Sequence, residues 1–279
     1  MASEGRTLVL GGGGVTGVAW EIGLMHGLAE HGIDLTDADL FVGTSAGSVV
    51  AAEITGGASL EKLYGHELVD TAGDRNATIG NGVLLRYILA AAYPGDRRRG
   101  RAWLGRAALR KATVPEAERR AAIATRVPGD EWPRTPLRIA AIVAETGEFV
   151  VFDSASGVSL IDAVAASCAV PLVWPPMTVN GTRYIDGGMR SAANVDLAAG
   201  HGRVVVIAPI TAALRRADRP AAQAAALGPG IRTAVVSPSR AALANIGRNP
   251  LDPSRRAAAA EAGRTQAAEV ADRVRAVWL

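Results

Sequence analysis

The chain has 279 residues, of which 49% are hydrophobic and 20% are charged, which fits one main α/β domain with additions and a sizeable core. The formal charge of +3 permits contact with anionic surfaces but is too small to indicate nucleic-acid binding. The single cysteine, Cys168, excludes an internal disulfide framework and a multi-cysteine zinc site, and its small apolar neighbours predict a buried structural thiol.

The N-terminal sequence lacks the long apolar core of a signal peptide, because the strand-like residues 7–10 run straight into glycines. No window approaches the roughly 18 uncharged apolar residues that a membrane span needs. These two observations predict a cytoplasmic protein.

Two strand–loop–helix units open the chain. Residues 7–10 predict a buried strand, and residues 11–17 (GGGGVTG) predict a loop that begins a helix. Residues 40–42 predict a second strand, which the stretch 43–47 (GTSAG) joins to a helix over 48–55. Because the same order of elements occurs twice, the sequence predicts a parallel α/β sheet.

A largely helical insertion is predicted from about residue 56 to residue 130, where it interrupts the sheet and forms a cap beside the active site. Within it, residues 96–104 combine an arginine-rich run with Trp103 and Leu104. Contact with an anionic membrane surface and a solvated helix face both fit this run. The solvated face is the favoured interpretation.

Two β-hairpins are predicted after the insertion. Strands over 137–143 and 149–152 flank a Thr-Gly turn, and strands over 177–179 and 182–185 flank an Asn-Gly turn. The second hairpin delivers residues 186–188 (DGG) to a loop.

The predicted catalytic domain spans residues 7–208 and closes with a last strand over 203–208. The remaining residues, 209–279, are rich in alanine and arginine and contain two prolines near position 250. This composition predicts a peripheral, mainly helical C-terminal extension.

Ser45 is the candidate nucleophile because it occupies the centre of a G-x-S-x-G turn between a strand and a helix. Gly43 and Gly47 occupy the two flanking positions, where the sharp reversal of the chain leaves no room for larger side chains. The turn presents the hydroxyl to the N-terminus of the next helix, whose free amides favour developing negative charge.

The glycine loop has three interpretations. Amides of Gly12, Gly13 and Gly14 can form an oxyanion hole, because glycine lets a substrate oxygen approach the backbone. The spacing up to Gly17 also matches a dinucleotide fingerprint, which requires an acidic residue at the end of the second strand. Asp34 has a suitable spacing but lies in poor strand material, so a dinucleotide site is disfavoured. A glycine turn without a ligand is the third interpretation.

The Ser45 hydroxyl needs a proton acceptor, for which Asp186 and His201 are the main candidates. The order Ser45, Asp186, His201 is that of α/β-hydrolase triads. His201, however, precedes its strand, whereas the serine follows its own, and these are opposite edges of a parallel sheet. Asp186 is therefore favoured as the partner in a Ser-Asp dyad. Taken alone, the Asp-Gly-Gly tripeptide would be interpreted as an ordinary turn without a catalytic role.

The glycine loop, the serine elbow and the Asp-Gly-Gly tripeptide together resemble the three signatures of the patatin-like phospholipases. Pro171 and the stretch 174–186, which ends at Asp186, also resemble that family. The resemblance covers about residues 7–208. It implies a three-layer α/β/α fold with a mainly parallel central sheet and a helical cap insertion.

The resemblance also implies a chemistry, namely hydrolysis of lipid acyl esters through an acyl-enzyme, as a lipid esterase or phospholipase A-like enzyme without a metal or other cofactor. Ser45 is then the nucleophile and Asp186 its base. The implied oxyanion donors are Gly12, Gly13 and Gly14, and the other motif glycines are Gly17, Gly43, Gly47, Gly187 and Gly188.

Thr16 is a departure from the family, which usually has arginine or lysine at this position. The missing charge weakens the expectation of a phospholipid substrate more than that of ester hydrolysis. A non-catalytic protein that binds lipid or docks peripherally on membranes is the alternative from another functional class.

Overall fold

The computed structural model describes residues 3–69 and 77–279. In this part of the chain, eight strands form one sheet and ten α-helices surround it. The strands are β1 (Ser3–Leu10), β2 (Leu40–Gly43), β3 (Leu137–Val143), β4 (Phe149–Phe152), β5 (Met177–Val179), β6 (Thr182–Asp186), β7 (His201–Ile207) and β8 (Arg232–Val236). The helices are α1 (Gly14–Glu30), α2 (Ala46–Thr55), α3 (Leu60–Leu68), α4 (Asn81–Ala91), α5 (Arg97–Ala108), α6 (Glu116–Ala124), α7 (Leu160–Ser167), α8 (Pro220–Ala225), α9 (Arg240–Ile246) and α10 (Arg256–Trp278).

The sheet is parallel at its centre and antiparallel at one edge. Its strand order is β5-β6-β3-β2-β1-β7-β8, with β4 paired to β3. The pairs β1–β2, β1–β7, β2–β3 and β7–β8 are parallel. The pairs β3–β4, β3–β6 and β5–β6 are antiparallel. The predicted parallel sheet and both predicted hairpins are therefore confirmed.

The central strands bury side chains on both faces of the sheet. On β1, Leu8 and Leu10 belong to the larger core, whereas Val9 belongs to a second core on the opposite face. On β7, Val205 and Val206 divide between the same two cores. This period-two alternation requires helices on both faces of the sheet. Each fully buried aliphatic side chain contributes roughly 1.5–3 kcal/mol, so these two cores stabilise the sheet strongly.

The C-terminal residues complete the sheet and its helical layer, which contradicts the prediction of a peripheral extension. Strand β8 pairs with β7, and α10 packs along α1. A Cβ at Gly23 would lie 2.0 Å from the Ala260 carbonyl oxygen, so the two helix backbones nearly touch. Trp278 is fully buried, and its Nε1 atom donates to the Asp34 carbonyl oxygen at 2.7 Å. The bounds of the catalytic domain stay a prediction.

Helices α3, α4, α5 and α6 lie in the predicted insertion, of which residues 70–76 are outside the described part of the chain. The arginine-rich run begins α5, and two of its arginines contact the protein's own surface. Arg97 pairs with Asp218 at 2.6 Å, and the Arg101 Nε atom donates to the Gly147 carbonyl oxygen at 2.8 Å. Leu104 is only 1% exposed. The run therefore supports no apolar membrane contact.

Candidate active site

Ser45 lies at the carboxyl end of β2 in a strained turn. Its φ of 51° and ψ of −118° are uncommon for a residue with a side chain and cost on the order of 1–3 kcal/mol. Hydrogen bonds on both sides of the residue hold this geometry. The Ser45 amide donates to Ser167 Oγ at 2.9 Å, and the Ser45 carbonyl accepts from Ser48 Oγ at 2.6 Å.

Cys168 supports the same turn from behind. Its thiol is buried and donates to the Ser45 carbonyl oxygen at 3.3 Å. Burial raises the pKa of Cys168 to about 12, so the thiol is protonated at neutral pH. The prediction of a buried structural thiol is confirmed.

The glycines of the elbow have a steric role. A Cβ at Gly47 would lie 2.2 Å from the Leu10 carbonyl oxygen, and a Cβ at Gly43 would lie 2.6 Å from the Ser48 Cα atom. Both distances are too short for any side chain. Glycine at position 47 therefore lets α2 pack against β1, and glycine at position 43 lets α2 begin close to the end of β2.

Asp186 ends β6 and faces the Ser45 hydroxyl. Its side chain is 3% exposed and accepts a hydrogen bond from the Gly188 amide at 2.7 Å. Burial raises the pKa of Asp186 to about 6. Hydrogen bonding from the Ser45 side chain, then the Gly188 amide, then the charge of Arg119 oppose this rise. The structure thus brings together a serine hydroxyl and a carboxylate that is ionised above about pH 6.

Asn194 joins the two loops, and the sequence analysis missed it. It is fully buried in a left-handed conformation with φ of 47°. Its Nδ2 atom donates to Thr44 Oγ1 at 3.0 Å and to the Gly187 carbonyl oxygen at 3.4 Å. One side chain therefore links the residue before Ser45 to the residue after Asp186.

The glycine loop presents fewer free amides than predicted. The Gly12 amide donates to the Ala192 carbonyl oxygen at 2.7 Å, so the prediction of Gly12 as an oxyanion donor is wrong. By contrast, the amides of Gly13, Gly14 and Ala46 have no acceptor in the part of the chain that the structure describes. Free amides thus lie at the starts of α1 and α2, where the helix dipole favours negative charge.

Buried Glu21 holds the glycine loop from the opposite side. Its Oε1 atom accepts from the Gly11 amide at 3.0 Å. Complete burial raises the pKa of Glu21 well above its usual value, which outweighs the effect of the Gly11 hydrogen bond. The Glu21 carboxyl therefore supports the glycine loop from the side away from Ser45.

Comparison with known proteins agrees with the three motifs. The family model described as patatin-like phospholipase matches residues 8–199. The chain belongs to this family. No curated protein sequence matches it.

Solved structures with a similar fold include two that are much larger than this patatin-like chain. VipD from Legionella pneumophila has a TM-score of 0.49 and 15% identity, with 97% of this chain and 67% of VipD covered. The type III effector protein ExoU has a TM-score of 0.43 and 16% identity, with 98% of this chain and 54% of ExoU covered.

His201 is far from the nucleophile of this patatin-like chain. It begins β7, and its Nδ1 atom lies 2.7 Å from Thr7 Oγ1 on β1. Ser45 follows the carboxyl end of β2, which is the opposite edge of the parallel strands. A Ser45–Asp186–His201 triad is therefore excluded by the strand direction.

A cavity of about 450 Å³ opens beside Ser45. This volume lies within the range of small-molecule sites. Apolar side chains from α1, α2 and α6 form much of the wall, including Val18, Val49 and Ile123. Polar residues of the wall include His66 and three arginines, namely Arg119, Arg126 and Arg256. The predicted helical insertion thus contributes directly to the site through α6.

Proposed function

We propose that this protein is a serine acyl-hydrolase that cleaves lipid acyl esters. The observation that carries the proposal is that buried Asp186 lies near enough to the Ser45 side chain for hydrogen bonding from it to lower the pKa of Asp186, beside free amides and a partly apolar cavity. A bare hydroxyl is a weak nucleophile at neutral pH, and an ionised carboxylate in hydrogen-bonding reach can take its proton. Family membership supports the same chemistry.

The proposed reaction has two halves. Ser45 Oγ attacks the ester carbonyl carbon while Asp186 takes the hydroxyl proton, and Asp186 then returns that proton to the departing alcohol. Water next attacks the acyl-enzyme with Asp186 as base, which releases the acid and restores Ser45. No metal or other cofactor takes part in these steps.

Amides of Gly13, Gly14 and Ala46 are the proposed oxyanion donors. They are free in the described residues, and Gly14 and Ala46 line the cavity together with Ser45. Removing one such donor from an acyl-transfer site typically costs about 2.7–4 kcal/mol in the transition state.

A fluorophosphonate probe tests the nucleophile directly. The native protein is expected to gain one phosphonyl group as the probe loses fluoride, and Ser45→Ala protein is expected to gain none, because phosphonylation needs an activated hydroxyl. Peptide mapping identifies the modified residue. Equal labelling of both proteins would remove Ser45 from the mechanism. No labelling, combined with binding of lipid vesicles, would favour a non-catalytic lipid-binding protein.

We further propose that the protein works at a membrane surface in the cytoplasm and docks through α4. No helix of the described chain meets the length and apolarity needed to span a bilayer. Helix α4 instead exposes four aliphatic side chains on one face, each 46–56% exposed: Leu84, Leu85, Ile88 and Leu89. Exposed Arg86 lies on the same helix, and exposed Arg99 lies in the first turn of α5. Aliphatic side chains beside arginines suit the surface of an anionic bilayer.

The other side of α4 faces the active site. Tyr87 Oη donates to the Pro171 carbonyl oxygen at 2.6 Å. Burial, and secondarily the charge of Asp186, raise the pKa of Tyr87. Docking of α4 would therefore bring the active site close to the lipid surface.

Vesicle sedimentation tests this docking surface. The double variant Leu85→Ser/Ile88→Ser is expected to bind vesicles of phosphatidylglycerol and phosphatidylcholine at least about tenfold more weakly, because it removes apolar area from the bilayer contact. Leu243→Ser is the matched control, since Leu243 on α9 is 51% exposed. Unchanged binding of the double variant would contradict the assignment to α4.

A further inference from the structure

Arg119 lines the active-site cavity, and its guanidinium forms no ion pair with a carboxylate of the described residues. It lies on α6, and its Nε atom is buried and forms no hydrogen bond. Its guanidinium carbon lies 4.3 Å from the ring centroid of buried Trp174. A buried donor that makes no hydrogen bond is costly, so this arrangement does not exist for stability. The stacking fixes the plane of the guanidinium and leaves its edge free for a planar acceptor.

The other arginines of the cavity wall are neutralised by the protein. Arg126 pairs with Glu53 at 2.6 Å and with Glu67 at 2.7 Å. Arg256 pairs with the other oxygen of Glu67 at 2.8 Å. Within residues 3–69 and 77–279, Arg119 is the cavity arginine that forms no ion pair with a carboxylate. The Arg119 guanidinium is therefore available to an anion that enters the cavity.

Arg119 is also close to the proposed catalytic pair. Burial lowers the pKa of Arg119, and the charge of Asp186 opposes that shift. Asp186 in turn has its pKa lowered by Arg119 as the last of three opposing effects. Arg119 and Ser45 line the same cavity. One small molecule bound in this cavity could therefore contact both Arg119 and Ser45.

Thr16 cannot supply this charge. It is fully buried, and both its amide and its hydroxyl donate to the Pro250 carbonyl oxygen, at 3.1 and 3.3 Å. The position at which the family usually has a basic residue is thus used to hold the C-terminal segment. A positive charge beside the reaction centre comes instead from the cap helix α6.

We infer that Arg119 binds an anionic group of the substrate and selects acyl esters that carry a phosphate or carboxylate near the scissile bond. The inference rests on the proposed acyl-hydrolase function and adds the substrate's charge to it. Two parallel donors of a guanidinium match the oxygens of either group, and such charge-assisted contacts are about twice as strong as neutral ones. The anion would accept hydrogen bonds from the edge of the Arg119 guanidinium that faces the cavity.

Matched substrates test the inference. Octanoyl glycerol 3-phosphate, octanoyl glycerol and an octanoyl ester of glycolate share one acyl chain and differ in charge. The wild type is expected to prefer one of the two anions over the neutral ester, and which of them is preferred separates phosphate from carboxylate. Arg119→Gln is expected to reduce the ratio of kcat/KM for that anionic ester to kcat/KM for the neutral ester by about 10- to 100-fold, mainly through KM. Arg119→Lys is expected to recover part of the preference.

Arg120→Gln is the matched control, because Arg120 is the next residue of α6 and pairs with Asp162 at 2.6 Å outside the cavity wall. It is expected to leave all three kcat/KM values unchanged. An equal loss for charged and neutral esters in Arg119→Gln would overturn the inference while the proposed function stands. Absence of turnover of every ester would instead refute the proposed function.

A binding measurement tests the role of Arg119 independently of the proposed catalytic function. Calorimetry with octyl phosphate and octanoate on Ser45→Ala protein needs no catalysis. Arg119→Gln in that background is expected to weaken the binding of the preferred anion at least about tenfold, and Arg120→Gln is expected to leave it unchanged. Equal affinity with and without Arg119, in variants of unchanged Tm, would overturn the inference.

Discussion

Replacement of Ser45 with alanine is expected to lower kcat/KM for a short soluble ester by at least about 10⁴-fold, because removal of a serine nucleophile leaves only the residual rate from oxyanion donors and binding. Alanine is expected to accept the φ of 51° about as serine does, so the fold should persist. Initial rates of p-nitrophenyl butyrate hydrolysis measure the loss. Thermal unfolding of the variant checks that Tm changes little.

Ser48→Ala is the matched control for this prediction. Ser48 is buried in the same turn and donates to the Ser45 carbonyl oxygen, but it does not line the cavity. Its loss is expected to reduce kcat/KM by less than about tenfold, since one intramolecular hydrogen bond contributes roughly 0.5–1.5 kcal/mol. A Ser45→Ala enzyme with more than about one hundredth of wild-type activity would show that another residue is the nucleophile.

The elements that the sequence predicted well are those whose pattern is local. The apolar runs of β1 and β7 are buried on both faces, and the Asn-Gly turn fixes the hairpin before Asp186. In each case a few neighbouring residues determine the backbone, so one stretch of sequence is sufficient.

The C-terminal region shows the limit of local patterns. Helix α10 packs on α1 through small residues, and a Cβ at Gly263 would lie 2.3 Å from the Trp20 carbonyl oxygen. Alanine and glycine give a weak apolar pattern, which is why the region was predicted to be peripheral. Their small size is the reason that two helices approach closely, but a sequence does not show which partner helix is involved.

The site shows the same limit. The glycine motif indicates a loop beside Ser45, but the Gly12 amide donates to the carbonyl oxygen of Ala192, which lies far along the chain. Asn194 and Arg119 have no motif of their own. Their importance arises from tertiary packing. It brings the Asn194 side chain into a hydrogen bond with Thr44, and it stacks the Arg119 guanidinium on the Trp174 ring without an acceptor for the Nε atom.

The pH dependence of the reaction is expected to follow Asp186. Only the ionised carboxylate can accept the Ser45 proton, and burial raises the pKa of Asp186 to about 6. A measured kcat/KM is therefore expected to increase with pH up to about 6 and to level off above it. This rise in kcat/KM forms the acidic limb of the pH profile. In Arg119→Gln the limb is expected to move to higher pH, because the Arg119 charge lowers the pKa of Asp186.

Asp186→Asn is expected to reduce kcat/KM by about 10³- to 10⁴-fold and to abolish the limb near pH 6, because an amide cannot take the proton. The asparagine carbonyl can still accept the Gly188 amide hydrogen bond, so Tm should change little. Asp196→Asn is the control, since the partly exposed Asp196 pairs with Arg190 outside the cavity wall and should retain both rate and pH profile. A limb near pH 6 that persists in Asp186→Asn would assign the proton transfer to a different group.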